Sequence, residues 1–198
     1  MATKTDKLRA VRDDVWNLTQ SPLYSYRTKT HYYPVLGEGD HDATIMFIGE
    51  APGENEAKTG RPFCGAAGRV LTELLASIGM KREDVYISNI VKDRPPGNRD
   101  PFPDEIALYA PFLDRQIDII QPKVLVTLGR FSMNYMLEKY DLPQKGMPIS
   151  TLHGQLLDLS LSYGTIKFLP LYHPAVALYN ASSKKTLLHD VALLPSLG

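Results

Sequence analysis

Residues 45–63, IMFIGEAPGENEAKTGRPF, join an apolar run to a loop rich in glycine and proline. Ile45–Ile48 predicts a buried strand, and a helical pattern begins near Gly65. Strand, glycine-rich loop and helix in this order place backbone N–H groups and a helix N-terminus at the carboxyl edge of a sheet, where open α/β folds bind ligands. The loop also carries groups that a plain turn does not need: Glu50, Glu56, Arg61 and Phe63. We therefore expect a binding site here.

The composition is that of a globular protein with one domain. A chain of 198 residues can bury a proper core, and we expect a single domain over residues 1–198. A formal net charge of zero argues against an extended basic surface, but it leaves room for a local basic rim around a concave site. Because no apolar run approaches the roughly 20 residues that span a bilayer, and the charged N-terminus lacks a signal-peptide core, we expect a cytoplasmic protein.

Strands and helices are predicted to alternate along the chain. Helices are expected at residues 5–18, Ala66–Ile78, Asp104–Ile120, Phe131–Glu138 and Ser183–Leu193. Strands are expected at Ile45–Ile48, Val85–Ile87 and Lys123–Leu128, followed by a hairpin of Gln155–Ser160 and Ile166–Leu169. Ser21–Asp42 and Val91–Pro103 are expected to be long ordered loops. This alternation predicts a three-layer α/β/α sandwich around a central, mainly parallel four-stranded sheet.

Three predicted strand ends carry candidate functional groups: the loop Gly49–Phe63, Asn89 and His173. Taken alone, an Asn at a strand end is usually a turn former, a His before Pro is usually a loop residue, and a Phe after Pro usually belongs to the core. All three nevertheless fall at the same end of the predicted sheet, beside the glycine-rich loop. Their coincidence predicts one pocket.

Several common kinds of binding and catalytic site do not match the sequence. The loop lacks the dinucleotide-binding G-x-G-x-x-G pattern and the Lys-Ser/Thr pair of a phosphate-binding loop, and the chain has no G-x-S-x-G nucleophile elbow. The five histidines show no metal-ligand spacing with one another or with Cys64, the single cysteine. We therefore expect no metal site.

Four blocks of the sequence closely resemble the uracil-DNA glycosylase superfamily, in its family 4 type. They are GEAPGENEAKTGRPFCGAAG (49–68), VYISNIVKDRPPGNRDP (85–101), KVLVTLGRF (123–131) and YHPAVALYN (172–180). Ordered similarity runs from about Pro34 to Asn180, and four blocks in the right order are far more specific than any one of them. The resemblance implies hydrolysis of the N-glycosidic bond of deoxyuridine in DNA, the first step of base-excision repair.

The resemblance also implies a role for each matching residue. Phe63 would stack on the flipped uracil, and the Asn89 amide would pair with its Watson–Crick edge, selecting uracil over cytosine. His173 would donate to uracil O2 as negative charge develops there, and Asn98 is a weaker candidate for positioning water. The loop that faces uracil O2 and the scissile bond would be formed by Gly49, Glu50, Ala51, Pro52 and Gly53.

Uracil-containing DNA, single- or double-stranded, is the implied partner of a monomer. The loop Pro174–Tyr179 would enter the minor groove, with Leu178 or Tyr179 as the wedge. Candidate phosphate contacts are Arg61, Arg94, Arg99, Lys184 and Lys185, although each could equally be an ordinary solvated charge.

The chain departs from the family 4 pattern at four positions. That type resembles an iron–sulfur protein with four cysteine ligands, and the matching positions here are Leu18, Ser21, Asp93 and Tyr109. None of these side chains can replace a thiolate, and Cys64 matches none of the four positions. On this basis we predict that the protein has no cofactor.

The general base is left open by the sequence. The best-known branch of the superfamily has an aspartate where Ala51 stands, so Glu50 is the nearest carboxylate and Glu56 the next. Glu50 could act as the base or could accept N–H bonds from its own loop, and much of the rate could come from electrostatics and positioning. Two further alternatives are a relative that binds uracil or DNA without turnover and a glycosylase for another deaminated base such as hypoxanthine.

Overall fold

The computed structural model describes residues 2–197, so Met1 and Gly198 of the predicted domain lie outside the described residues. The α-helices are α1 (Lys4–Trp16), α2 (Tyr24–Thr30), α3 (Glu54–Thr59), α4 (Ala66–Ser77), α5 (Pro103–Ile120), α6 (Arg130–Lys139), α7 (Ile149–Leu152) and α8 (Ala181–Val191). The strands are β1 (Glu38–Gly39), β2 (Ile45–Gly49), β3 (Tyr86–Asn89), β4 (Val124–Leu128), β5 (Leu157–Leu161) and β6 (Gly164–Leu171). Short 3-10 helices lie at Arg82–Asp84, Pro96–Asn98, Pro174–Leu178 and Leu194–Ser196.

One sheet in the order β1-β3-β2-β4-β6-β5 organises the described chain. The four inner strands are parallel, with Phe47 of β2 opposite Ile87 of β3 and Val126 of β4. The outer strands β1 and β5 pair antiparallel with β3 and β6. The predicted α/β class is confirmed, but the predicted number of four strands is wrong. The sequence does not reveal the two edge strands as members of the sheet, because one is only two residues long and the other comes from a hairpin.

Helices cover both faces of the sheet. Side chains of α4 and α8 pack on one face, around Phe47, Val126 and Leu169. Side chains of α5 and α6 pack on the other face, around Met46, Ile48 and Leu125. Strands β2, β3 and β4 are buried throughout, which is the pattern of a parallel sheet covered on both sides.

Two short helices lie within segments that were predicted as loops. Helix α2 falls inside Ser21–Asp42, and its sequence YSYRTKT has no apolar periodicity; its one buried residue is Arg27. Helix α3 falls inside the glycine-rich loop and buries only Ala57. Neither helix has the apolar face by which a helix is recognised in a sequence. Tertiary contacts, rather than an amphipathic pattern, hold both helices in place. No helix in residues 2–197 has the length and apolar character needed to cross a membrane.

Candidate active site

The carboxyl ends of the parallel strands open into one pocket of about 260 Å³. Its lining includes Glu50 directly after β2, Asn89 at the end of β3 and His173 two residues after β6, whereas Gly49, the last residue of β2, is not in the lining. The pocket is lined by Glu50, Ala51, Pro52, Gly53, Glu56, Phe63, Ala67, Asn89, Pro95, Asn98, Arg99 and His173. The volume lies just under the roughly 300–1,000 Å³ of pockets for drug-sized ligands, so the site suits one small ring. The predicted convergence of the three strand ends is therefore present.

Phe63 supplies an aromatic wall. Its side chain is buried, and its ring centre lies 5.7 Å from that of His173, tilted by 34°. The backbone of Phe63 is left-handed, with φ of 48°, an unusual conformation that clusters at functional sites. Gly68 makes this possible, because a Cβ at that position would lie 1.7 Å from the Phe63 carbonyl oxygen. Gly68 is thus a site residue that the sequence analysis missed.

Asn89 presents an unsatisfied amide to the pocket. The residue is 2% exposed, and its Oδ1 has no hydrogen-bond partner within residues 2–197. Gly49, which faces Asn89 in the β2–β3 ladder, leaves the space, since a Cβ there would lie 2.3 Å from Oδ1 and 2.7 Å from the Phe63 ring. A buried polar group without a partner is destabilising unless a ligand satisfies it. The geometry therefore favours a polar ring edge bound against Asn89.

His173 is held as a neutral donor. Burial lowers the pKa of its imidazole, so the ring is neutral at pH 7. Its Nδ1 accepts a hydrogen bond of 3.2 Å from the Ala175 backbone N–H. In a neutral ring the proton then resides on Nε2, which becomes the donor. Behind the ring, Gly129 gives room, since a Cβ there would lie 3.2 Å from the His173 Cβ.

The two carboxylates of the loop that line the pocket have different surroundings. Glu56 Oε1 accepts hydrogen bonds from the backbone N–H groups of Cys64 and Gly65, at 3.0 and 2.9 Å, and so fastens the loop to the start of α4. The Glu50 carboxylate accepts no N–H bond among the described residues, so the alternative that it braces its own loop loses its support. Burial, reinforced by the negative charge of Asp100 and opposed by Arg130, raises the pKa of Glu50 to about 7. Glu50 is thus the carboxylate free to exchange a proton near neutral pH.

Asn98 also reaches the pocket, supported by a buried arginine. The residue has φ of 55°, and its Oδ1 accepts a 2.9 Å hydrogen bond from Arg94 Nε. Arg94 is 8% exposed and also donates to the hydroxyl groups of Tyr26 and Tyr32. The prediction that Arg94 contacts phosphate is corrected here, because its guanidinium is enclosed by the protein and braces the Asn98 loop.

The remaining predicted DNA contacts lie around the pocket mouth or further out. Arg99 lines the pocket and pairs with Glu105 at 2.6 Å. Arg61 and Lys184 are exposed but pair with Glu38 and Glu73. The loop after His173 forms the 3-10 helix Pro174–Leu178, which projects its apolar tip into solvent, with Leu178 43% and Tyr179 88% exposed. An exposed Leu-Tyr pair beside a pocket is suited to contact with another molecule.

The four positions that depart from the family pattern come together around Tyr109 of α5. Leu18 packs in a small apolar cluster with Tyr109. The Tyr109 hydroxyl donates to Asp93 at 2.6 Å and lies 2.7 Å from Ser21 Oγ. Arg27 Nη1 adds an ion pair of 3.0 Å to Asp93, with both side chains almost fully buried. The polar side chains of this group thus satisfy one another with hydrogen bonds, while Leu18 makes apolar contacts.

Comparison with known proteins identifies the superfamily. The family model described as the Uracil DNA glycosylase superfamily matches residues 36–194. A type-4 uracil-DNA glycosylase of Sulfurisphaera tokodaii is 46% identical over 194 residues, which cover 98% of this chain and 86% of that protein. The type-4 enzyme of Saccharolobus solfataricus is 44% identical, covering 93% and 83%. The type-4 enzyme of Thermotoga maritima is 42% identical, covering 96% and 94%.

These comparisons contradict the prediction that the protein has no cofactor. The relatives are type-4 enzymes, and type 4 is the iron–sulfur type of the superfamily, so likeness to them implies a cluster. The side chains at the four matching positions, Leu18, Ser21, Asp93 and Tyr109, contain no thiol and do not fit a four-cysteine cluster. For metal ions, residues 2–197 hold no group of three or more His, Cys, Asp and Glu side chains with the required arrangement.

Proposed function

The chain belongs to the uracil-DNA glycosylase superfamily and is a uracil-DNA glycosylase, a hydrolase of DNA N-glycosidic bonds, and we propose that Phe63, Asn89 and His173 enclose its flipped uracil. One observation carries this proposal: an aromatic wall, an unpartnered amide and a neutral imidazole donor line the same pocket of about 260 Å³. The pocket accepts one base, and that base must leave the helical stack to enter it.

Uracil is selected by its hydrogen-bonding edge. An amide offers one donor and one acceptor, which match uracil O4 and N3–H; cytosine presents the opposite pattern at these atoms. Stacking on Phe63 recovers about 1–3 kcal/mol of the unstacking free energy, by analogy with single-strand binders. The buried, unpartnered Oδ1 of Asn89 makes rejection stronger, since the wrong base leaves that atom unsatisfied.

His173 stabilises the leaving group. When the C1′–N1 bond breaks, the bonding electrons pass to the uracil ring and negative charge develops at O2. The Nε2–H of neutral His173 donates to that oxygen, and the bond strengthens as the charge grows. The 3.2 Å bond from Ala175 to Nδ1 fixes the tautomer that this role requires.

Glu50 activates the water. Its carboxylate takes a proton from water while the water oxygen forms the new bond to C1′, and Asn98 orients that water. The products are free uracil, after it takes up a proton, and DNA with an abasic sugar. The raised pKa of Glu50, about 7, suits a general base that works near neutral pH.

The DNA is contacted by the rim of the pocket. Leu178 and Tyr179 enter the minor groove as a wedge, and Arg61, Arg99, Lys184 and Lys185 are the phosphate contacts. The enzyme acts as a monomer. Its best substrates are single-stranded and mispaired uracil, because unpairing the base costs the least free energy in those contexts. The cytoplasmic location stays a prediction.

The test is release of free uracil from a labelled single-stranded oligonucleotide under single-turnover conditions. The wild-type protein should release uracil and should leave matched oligonucleotides with cytosine or hypoxanthine intact. Asn89→Ala should lose at least about 100-fold in rate, because it removes the base-reading amide. Asn134→Ala, the same change at an exposed position of α6, is the control and should match the wild type. Tight binding without release, or faster release of hypoxanthine, would overturn the proposal.

A further inference from the structure

Lys92 is a fully buried lysine directly behind the pocket. It is 0% exposed and lies three residues after Asn89, in the segment that leads from β3 towards Asn98. Its Nζ donates to the Asn89 carbonyl oxygen at 2.6 Å, to Ser88 Oγ at 2.8 Å and to Gln116 Oε1 on α5. The reaction described above does not use this group.

The three partners favour the ammonium form. Gln116 Oε1 and the Asn89 carbonyl can only accept, and the Ser88 hydroxyl has acceptors of its own in Leu36 O at 2.7 Å and Gln116 Oε1 at 3.0 Å. Three acceptors need three N–H donors, which an ammonium group has and a neutral amine lacks. Burial works in the other direction and lowers the pKa of Lys92 to about 7. The negative charge of Asp114 favours the ammonium form, but all three hydrogen-bond acceptors are neutral. A buried charge held in this way is an expensive means of stabilising a fold.

The geometry connects this charge to the base-reading amide. Side chains of β3 alternate between the two faces of the sheet, so Ser88 points towards α5 while Asn89 points towards Phe63. Lys92 therefore donates its hydrogen bond to the Asn89 backbone from the face of the sheet opposite the pocket. The next two backbone bonds, Ile90 N–H to Gly49 O and Val91 N–H to Glu50 O, tie the same segment to the loop that faces the base.

We propose that Lys92 is a positioning residue for uracil recognition, which fixes the Asn89 carboxamide by holding its carbonyl oxygen against Ser88 and α5. This inference rests on the proposed function, since it assigns Lys92 to the same site. Because the Lys92 ammonium group bonds directly to the Asn89 carbonyl oxygen, loss of Lys92 should weaken catalysis mainly through Asn89. Lys92 itself has no contact with substrate.

The test is a double-mutant cycle measured by single-turnover uracil release. Lys92→Met keeps most of the length of the side chain and removes the charge and the three donors. It should lower the rate with saturating enzyme by about 10- to 100-fold, the effect expected of a misplaced catalytic group. In the Asn89→Ala background the same change should alter the rate by less than about threefold. In the side-chain NMR spectrum, the Asn89 amide resonance should shift or broaden in Lys92→Met.

Controls separate this inference from simple loss of fold and from failure of the proposed function. Lys167→Met, at an exposed ion pair of β6, should leave rate and spectrum unchanged. If Lys92→Met does not fold, Ser88→Ala, which removes one of the three acceptors, should show a smaller loss that again disappears without Asn89. Equal losses in the two backgrounds, or no loss, would refute the role of Lys92. Absence of uracil release by the wild type would instead refute the proposed function.

Discussion

If Glu50 is the general base, as proposed, we expect the activity to depend on pH within the physiological range. Its pKa is raised to about 7, first by burial and then by the negative charge of Asp100, while Arg130 lowers it. A general base acts as the carboxylate, so activity should rise with pH as Glu50 loses its proton. The same shift affects folding: because the folded protein holds this proton more tightly than the unfolded chain, ionisation of Glu50 should lower stability as pH rises from about 4.5 to 7.

The size of the effect follows from the pKa. With a pKa of about 7, Glu50 is about 9% ionised at pH 6 and about 91% ionised at pH 8, so the rate should rise roughly tenfold between these values. Asp100 and Arg130 form an exposed ion pair with each other at 2.7 Å. Asp100→Asn should move the midpoint to lower pH, and Arg130→Gln should move it to higher pH.

The assay is the single-turnover rate of uracil release from single-stranded DNA between pH 5.5 and pH 8.5 at constant ionic strength. Glu50→Gln should lower the rate by about 10²- to 10⁴-fold and remove the rise with pH. Its folded state is checked by thermal unfolding at each pH. A flat wild-type profile, or the same rise in Glu50→Gln, would refute the assignment of Glu50 as the base.

Three further predictions concern the pocket, the buried ion pair and the exposed tip. Gly49→Ala should lower uracil release at least about tenfold while the fold remains, because its Cβ would lie 2.3 Å from Asn89 Oδ1; wild-type kinetics would contradict this. Asp93→Ala should lower the free energy of unfolding by about 3–5 kcal/mol, measured in urea, since it leaves Arg27 buried without its partner; a change below 1 kcal/mol would count against it. Tyr179→Ala, which removes an 88% exposed ring, should slow release from double-stranded DNA roughly tenfold more than from single-stranded DNA; equal losses on both substrates would exclude a wedge.

The fold and the outline of the site could be predicted because they depend on local patterns. Apolar runs such as Lys123–Leu128 indicate buried parallel strands, and parallel strands bring their carboxyl ends to one edge. Asn89 and His173 follow such runs directly, so their positions in the pocket follow from topology. Edge strand β1, only two residues long, has no pattern of its own and is defined by its pairing with β3.

The supporting contacts could not be predicted, because they join residues that are distant in sequence. The sequence predicts a surface charge at Arg94, but the hydroxyl groups of Tyr26 and Tyr32 accept hydrogen bonds from its guanidinium in the folded protein. Lys92 resembles any solvated lysine in the sequence, and its burial depends on Gln116 of α5, 24 residues later. The difference between Glu50 and Glu56 likewise has no sequence pattern, because it depends on the backbone N–H groups of Cys64 and Gly65, which bind Glu56.

A crystal structure with free uracil bound at neutral pH tests the central claim most directly. The account predicts one uracil in the pocket at the strand ends, stacked on Phe63, with O4 and N3 at the Asn89 amide and O2 within hydrogen-bond distance of His173 Nε2. Uracil bound with its O2 turned away from His173, or bound outside this pocket while the crystals remain active, would contradict it.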